Sequence, residues 1–160
     1  MRPLSTTFAA LPCGIFLAAS ALLAPISCAA PTTAAAPPAV HTPPDGNFPF
    51  SPAVRVGPMI YLSGQIGTTS MAPPALITGG IEAETRQTLD NIKAVLAKQG
   101  ATMDDIVKCT VMMADMREWA AMNTVYVDYF PKHKPARSAF GTSGLALGAR
   151  VEIECAAYRP

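Results

Sequence analysis

The chain has 160 residues, enough for one domain with appendages, and its charges nearly cancel, with twelve Lys and Arg against eleven Asp and Glu. No basic cluster stands out. Because affinity for a phosphate backbone comes from many cations acting together, nucleic acid is not an expected partner.

Residues 1–29 carry a cation at Arg2, an apolar stretch from Gly14 to Leu23, and small residues leading to Ala30, the three-part layout of an export signal. The stretch is shorter than the roughly 20 apolar residues that a membrane span needs, so no span is expected. Ser27 and Ala29 fit the small-residue positions for cleavage after Ala29. Cys28 also permits a lipid anchor, but Pro25 stands where such signals usually carry leucine. The expected location is periplasmic or secreted. Residues 30–47 are dominated by Ala, Pro and Thr and have little to bury, which reads as a polyproline-like tether. Ten of the sixteen prolines lie between Pro3 and Pro52, and Arg2 is the only charged residue before Asp45. Folding-type patterning therefore begins late, and the domain is set at residues 48–160.

Within that domain, Val54 to Val56 and Met59 to Ser63 flank Gly57-Pro58 and predict a hairpin. Gly67 to Gly80 reads as a loop, with room for a short strand at Ala75 to Thr78. From Ile81 to Gln99 the apolar period becomes helical through Ile81, Leu89, Ile92, Val95 and Leu96, with Gly100 as the left-handed stop. Ile106 to Ala114 is apolar and β-branched and predicts a strand inside a sheet. Asp115 and Glu118 have capping-box spacing for a second helix. Its apolar side, Trp119, Met122, Val125, Tyr126, Tyr129 and Phe130, reads as core, and Pro131 ends it. Ala136 to Thr142 and Ala149 to Tyr158 are two more predicted strands.

Two helices cover one face of such a sheet, so the other face must meet water or another subunit. In the last strand Val151, Ile153 and Cys155 alternate with Glu152 and Glu154, which puts both carboxylates on the side away from the helices. Cys109 and Cys155 lie on the apolar face of their strands and read as buried free thiols, although an export route also allows a disulfide. His133 is the domain's one histidine, so neither a metal-ligand cluster nor a serine triad at Ser63 is predicted.

Four segments stand out together: PFSPAVRV (Pro49 to Val56), YLSGQI (Tyr61 to Ile66), PARS (Pro135 to Ser138) and VEIECA (Val151 to Ala156). With Arg86 to Asn91 and Asn123 to Tyr126, they make a pattern that resembles the reactive intermediate deaminase family, also called Rid or YjgF, from Phe48 to Tyr158.

The resemblance implies an α+β fold of the chorismate-mutase-like type: a six-stranded mixed β-sheet with two α-helices on one face, assembled as a homotrimer with clefts between subunits. The implied reaction is hydrolytic deamination of small reactive 2-imino or enamino acids, of the 2-aminoacrylate type, to 2-keto acids and ammonia, without a cofactor. Arg137 of the PARS segment is the implied carboxylate clamp, aided by the backbone amide of Ala139. Glu152 is the implied holder of the hydrolytic water. Phe50, Ser63, Gly64 and Asn123 are carried over as substrate-binding positions.

Phe50 stands where some members have tyrosine, so it is expected to pack against the substrate's side chain and not to shuttle a proton. Ser63 bonds either the substrate or a neighbouring backbone group. The loop after Ile66 and the glycine-rich Thr142 to Gly148 depart from the common pattern and leave the side-chain pocket unspecified. The alternative that the resemblance allows is an exported small-carboxylate binding module or a stress-activated holdase without turnover.

Overall fold

The computed structural model describes residues 35–44, 46–71 and 73–160. The segment read as an export signal, including Cys28, lies outside the described residues, as do tether residues 30–34 and 45.

The alternating apolar runs form strands β1 (Ala39–His41), β2 (Ala53–Val56), β3 (Met59–Leu62), β4 (Gln65–Ile66), β7 (Ile106–Met113), β8 (Ala136–Gly141) and β9 (Val151–Tyr158) of one mixed sheet. Its order is β1-β2-β3-β9-β7-β8, with β4 continuing along β9 where β3 leaves off. Only β7 and β8 run parallel. Between β4 and the first helix, β5 (Thr68–Met71) and β6 (Pro74–Leu76) form a separate two-stranded ribbon. This ribbon occupies much of what reads as loop in the sequence.

Helix α1 (Gly80–Lys98) ends as its sequence predicts. Gly100 takes φ 69°, its N–H donates to the Ala97 carbonyl, and the Ala101 N–H donates to the Leu96 carbonyl. These are the paired bonds of a Schellman stop, which a glycine adopts without a Cβ penalty. Helix α2 (Trp119–Asp128) follows a short 3-10 turn at Met116–Glu118. Asp115 caps that turn by accepting the Arg117 N–H at 2.9 Å, but Glu118 does not close the capping box. It accepts a bond from Arg150 at 2.5 Å instead, because the start of β9 brings a cation within reach.

Both helices lie on one face of the sheet. Leu89, Ile92 and Leu96 from α1, Met122 from α2, and Ile60, Val111, Val151 and Ile153 from the sheet are fully buried together. Burial of such side chains contributes about 1.5–3 kcal/mol each before conformational entropy is subtracted.

Two expectations are corrected. Cys109 and Cys155 are joined by a disulfide and are not free thiols. They sit directly opposite each other on β7 and β9, two strands whose pairing is a tertiary fact that spacing in sequence does not carry. Their separation of 46 residues corresponds to about 4 kcal/mol of stabilisation in the chain-entropy treatment of loop closure. The second correction concerns the tether. Ala39–His41 pairs antiparallel with Val54–Val56, so the sheet begins before the boundary set at Phe48. No helix among the described residues is long and apolar enough to cross a membrane.

Candidate functional site

Glu152 lies in β9 opposite Ile66 on one side and Met112 on the other. Its neighbours in the strand, Val151 and Ile153, are buried under the helices, so the alternation of a strand sends Glu152 and Glu154 to the opposite, open face. There Glu152 borders a pocket of about 450 Å³ together with Phe50, Ser63, Gly64, Ile66 and Leu147.

Gly64 is needed for the approach of the carboxylate. A Cβ at this position would stand 2.9 Å from the Glu152 Cδ, closer than real side chains come. The Ser63 hydroxyl donates to the Ser51 carbonyl at 2.7 Å, so of its two expected roles it fills the backbone one. Gln65 donates to the carbonyls of Ser63 and Gly64, both at 3.2 Å, and braces the turn between β3 and β4. No described residue gives Glu152 a hydrogen bond or a cation. Burial, and secondly repulsion from Glu154, raise its pKa above the ordinary carboxylate value.

Arg137 is in β8, the outer strand, in register with Cys109. Cys109 faces the helices, and so does Arg137. Its guanidinium carbon lies 4.6 Å from the ring centre of Tyr126 and 5.2 Å from that of Trp119. Ring faces attract a cation through their quadrupole and so hold the guanidinium in place without using its N–H donors. No carboxylate among the described residues pairs with Arg137, so the ion pair that is the default for such an arginine is not made.

Tyr126 is buried. Desolvation pushes its phenol up to about 12 against the opposing charge of Arg137, and its hydroxyl finds no partner among the described residues. Asn123 lies on the same stripe of α2, four residues after Trp119 and three before Tyr126, and Ala139 follows two residues after Arg137 on the same face of β8.

The site residues therefore fall into two groups. Phe50, Ser63, Gly64 and Glu152 share the open-face pocket, and Arg137, Asn123 and Ala139 lie at the helix-covered edge. One chain does not bring Arg137 and Glu152 together, because they project from opposite faces of the same sheet.

Trp119 and Tyr126, expected as core, also carry Arg137. The signal available was their seven-residue spacing, which puts two large rings on one helix stripe. Glu84, which no sequence motif singles out, is buried and accepts the Arg150 backbone N–H at 2.8 Å, fixing the start of α1 to the start of β9.

Residues 41–159 match the family described as Endoribonuclease L-PSP. A RutC family protein of Pyrococcus horikoshii is 40% identical over 69% of this chain and 87% of its own length. The 2-iminobutanoate/2-iminopropanoate deaminase of Capra hircus is 41% identical over 69% of this chain and 80% of its own. Among solved structures, RidA from an Antarctic Psychrobacter superposes with a TM-score of 0.65 at 34% identity, covering 74% of this chain and 93% of that one. The motif pattern, the mixed sheet with two helices on one face and these likenesses agree, and the chain belongs to the Endoribonuclease L-PSP family, in which the YjgF and Rid proteins are grouped.

Proposed function

We propose that the chain is an imine deaminase that hydrolyses small reactive 2-imino acids, including those formed from enamines, to 2-keto acids and ammonia, with each site shared between two copies of the chain in a homotrimer. The relatives named as 2-iminobutanoate/2-iminopropanoate deaminases support the activity.

The observation that carries the shared site is that Arg137 and Glu152 project from opposite faces of one sheet, each without a partner of opposite charge among the described residues. A guanidinium held over Trp119 and Tyr126 can grip a substrate carboxylate with two parallel bonds, and the backbone amide of Ala139 adds a third donor. Across the subunit boundary, Glu152 of a second copy holds a water against the C=N carbon. As the C–O bond forms, the water's proton passes to the Glu152 carboxylate, the C=N π electrons move onto nitrogen, and nitrogen takes up the proton that Glu152 received. Collapse of the resulting carbinolamine moves its hydroxyl proton to nitrogen, breaks the C–N bond to expel ammonia and leaves the keto acid. Glu152 must be ionised to accept that proton, and its raised pKa makes it a stronger base than an ordinary carboxylate.

The protein acts after export, in the periplasm or outside the cell. The Cys109–Cys155 disulfide supports this location, since such bonds persist in oxidising compartments and are rare in reducing ones. The near balance of charge weighs against an RNA substrate, whatever the family's description suggests.

The test is to generate 2-iminopropanoate in place from alanine with an amino-acid oxidase and time keto-acid release with and without the purified chain. Acceleration that Arg137→Ala abolishes is the expected result. Release no faster than in buffer alone would refute the reading and leave a binding role.

A further inference from the structure

Within one chain, the open pocket beside Glu152 is much larger than a methyl or ethyl group needs. It holds about 450 Å³, whereas a cavity of about 150 Å³ is enough for benzene. Ser63, Gln65, Thr68 and Glu152 contribute its polar side chains, and Phe48, Phe50, Ile66 and Leu147 supply apolar wall.

Two of those wall residues sit in positions that folding alone does not favour. Phe50 is 46% exposed and Leu147 is 57% exposed. Leu147 is also the one described non-glycine residue with a positive φ, at 58°, and it is followed by Gly148 at 74°. A leucine held in the left-handed region costs backbone energy that glycine would not, and within its own chain the side chain recovers little by burial. The loop therefore spends stability to hold an apolar group at the border of a pocket that already contains the candidate water-holding carboxylate.

We infer that this pocket takes the side chain of the substrate, and that the chain prefers 2-imino acids with branched aliphatic or aromatic side chains over those with methyl or ethyl. The inference rests on the deaminase reading. With the carboxylate at Arg137 and the C=N carbon at Glu152, the side chain is the part of the molecule left to fill the apolar wall. Each further methylene removed from water is worth about fourfold in kcat/KM.

The experiment measures kcat/KM of the full chain for imino acids made in place by an amino-acid oxidase from alanine, leucine and phenylalanine. The imino acid from leucine is expected to exceed that from alanine by about tenfold or more. Leu147→Gly, which suits the observed φ, and Phe50→Ala are each expected to lower that ratio severalfold. Equal or smaller values for the larger substrates overturn the inference while leaving the deaminase reading intact, and so does a ratio that neither variant changes. If no imino acid is turned over, the deaminase reading fails and product binding decides the pocket. A larger rise in melting temperature with 4-methyl-2-oxopentanoate than with pyruvate then supports an apolar side-chain pocket, and an equal or smaller rise overturns it.

Discussion

The pocket around Glu152 and the edge around Arg137 handle an isolated charge in opposite ways. Glu152 is partly desolvated, lies close to a second carboxylate and receives no donor from the described residues, so its ionised form is disfavoured. Arg137 is half-buried on two aromatic faces, which stabilise its charge without using its hydrogen-bond donors. The first region raises basicity and the second preserves a fixed cation. On the proposed reading, a substrate with a carboxylate at one end and an electrophilic carbon next to it takes one of each, the cation from one copy of the chain and the base from a second.

The sharpest way to break this comparison is at Glu152. Glu152→Gln is expected to lower kcat about a hundredfold to ten-thousandfold, the range for a lost general base. The same change should raise the melting temperature. The folded chain holds the Glu152 proton more tightly than the unfolded chain does, so stability from this group is fullest below the ordinary carboxylate range and declines as pH rises through the raised pKa. A glutamine removes that cost at neutral pH. In the wild type, kcat should fall on the acid side with a midpoint above the usual carboxylate value, and a profile that stays flat there would mean that Glu152 is not the base.

At the other region, Arg137→Ala is expected to reduce kcat/KM about a hundredfold to a thousandfold, chiefly through KM, as the loss of a charge-assisted pair predicts. Arg137→Lys should recover little, since a point charge does not offer two parallel donors. The two lesions can then be combined. Refolding equal amounts of the Arg137→Ala and Glu152→Gln chains together should restore about a quarter of wild-type activity if each site draws one residue from each of two subunits. Mixtures no more active than either variant alone would count against a shared site.

How much of this was legible beforehand depended on the range of the interaction. The hairpin at Gly57-Pro58, α1 and its stop at Gly100 follow from periods and turn residues within a few positions, and they appear where the pattern puts them. Strand β1 was not legible, because three residues of Ala-Val-His carry no period and are held by an edge that β2 offers. The disulfide was not legible either, since two cysteines on apolar faces look the same whether or not their strands are neighbours. Site positions were carried by the four motifs, but their division between two faces appears only when Arg137, Cys109 and Cys155 are followed across the register of β8, β7 and β9.

The smallest expected effect probes what holds Arg137. Trp119→Leu keeps apolar bulk but removes one ring face, and a cation–π contact of this kind is worth about 0.5–2 kcal/mol, or roughly twofold to thirtyfold. The loss should fall on KM, because the ring orients the carboxylate grip and touches neither the water nor the C=N carbon. Trp119→Phe retains a ring face and should recover most of it. Tyr126→Phe separates this role from mere packing: it keeps the second ring under the guanidinium and deletes a buried hydroxyl that has no partner among the described residues. Removing an unpaired buried hydroxyl relieves its desolvation penalty, so this variant should melt no lower than the wild type and keep its KM. A rise in KM for Tyr126→Phe would instead mean that the hydroxyl finds its partner in the substrate or the second subunit.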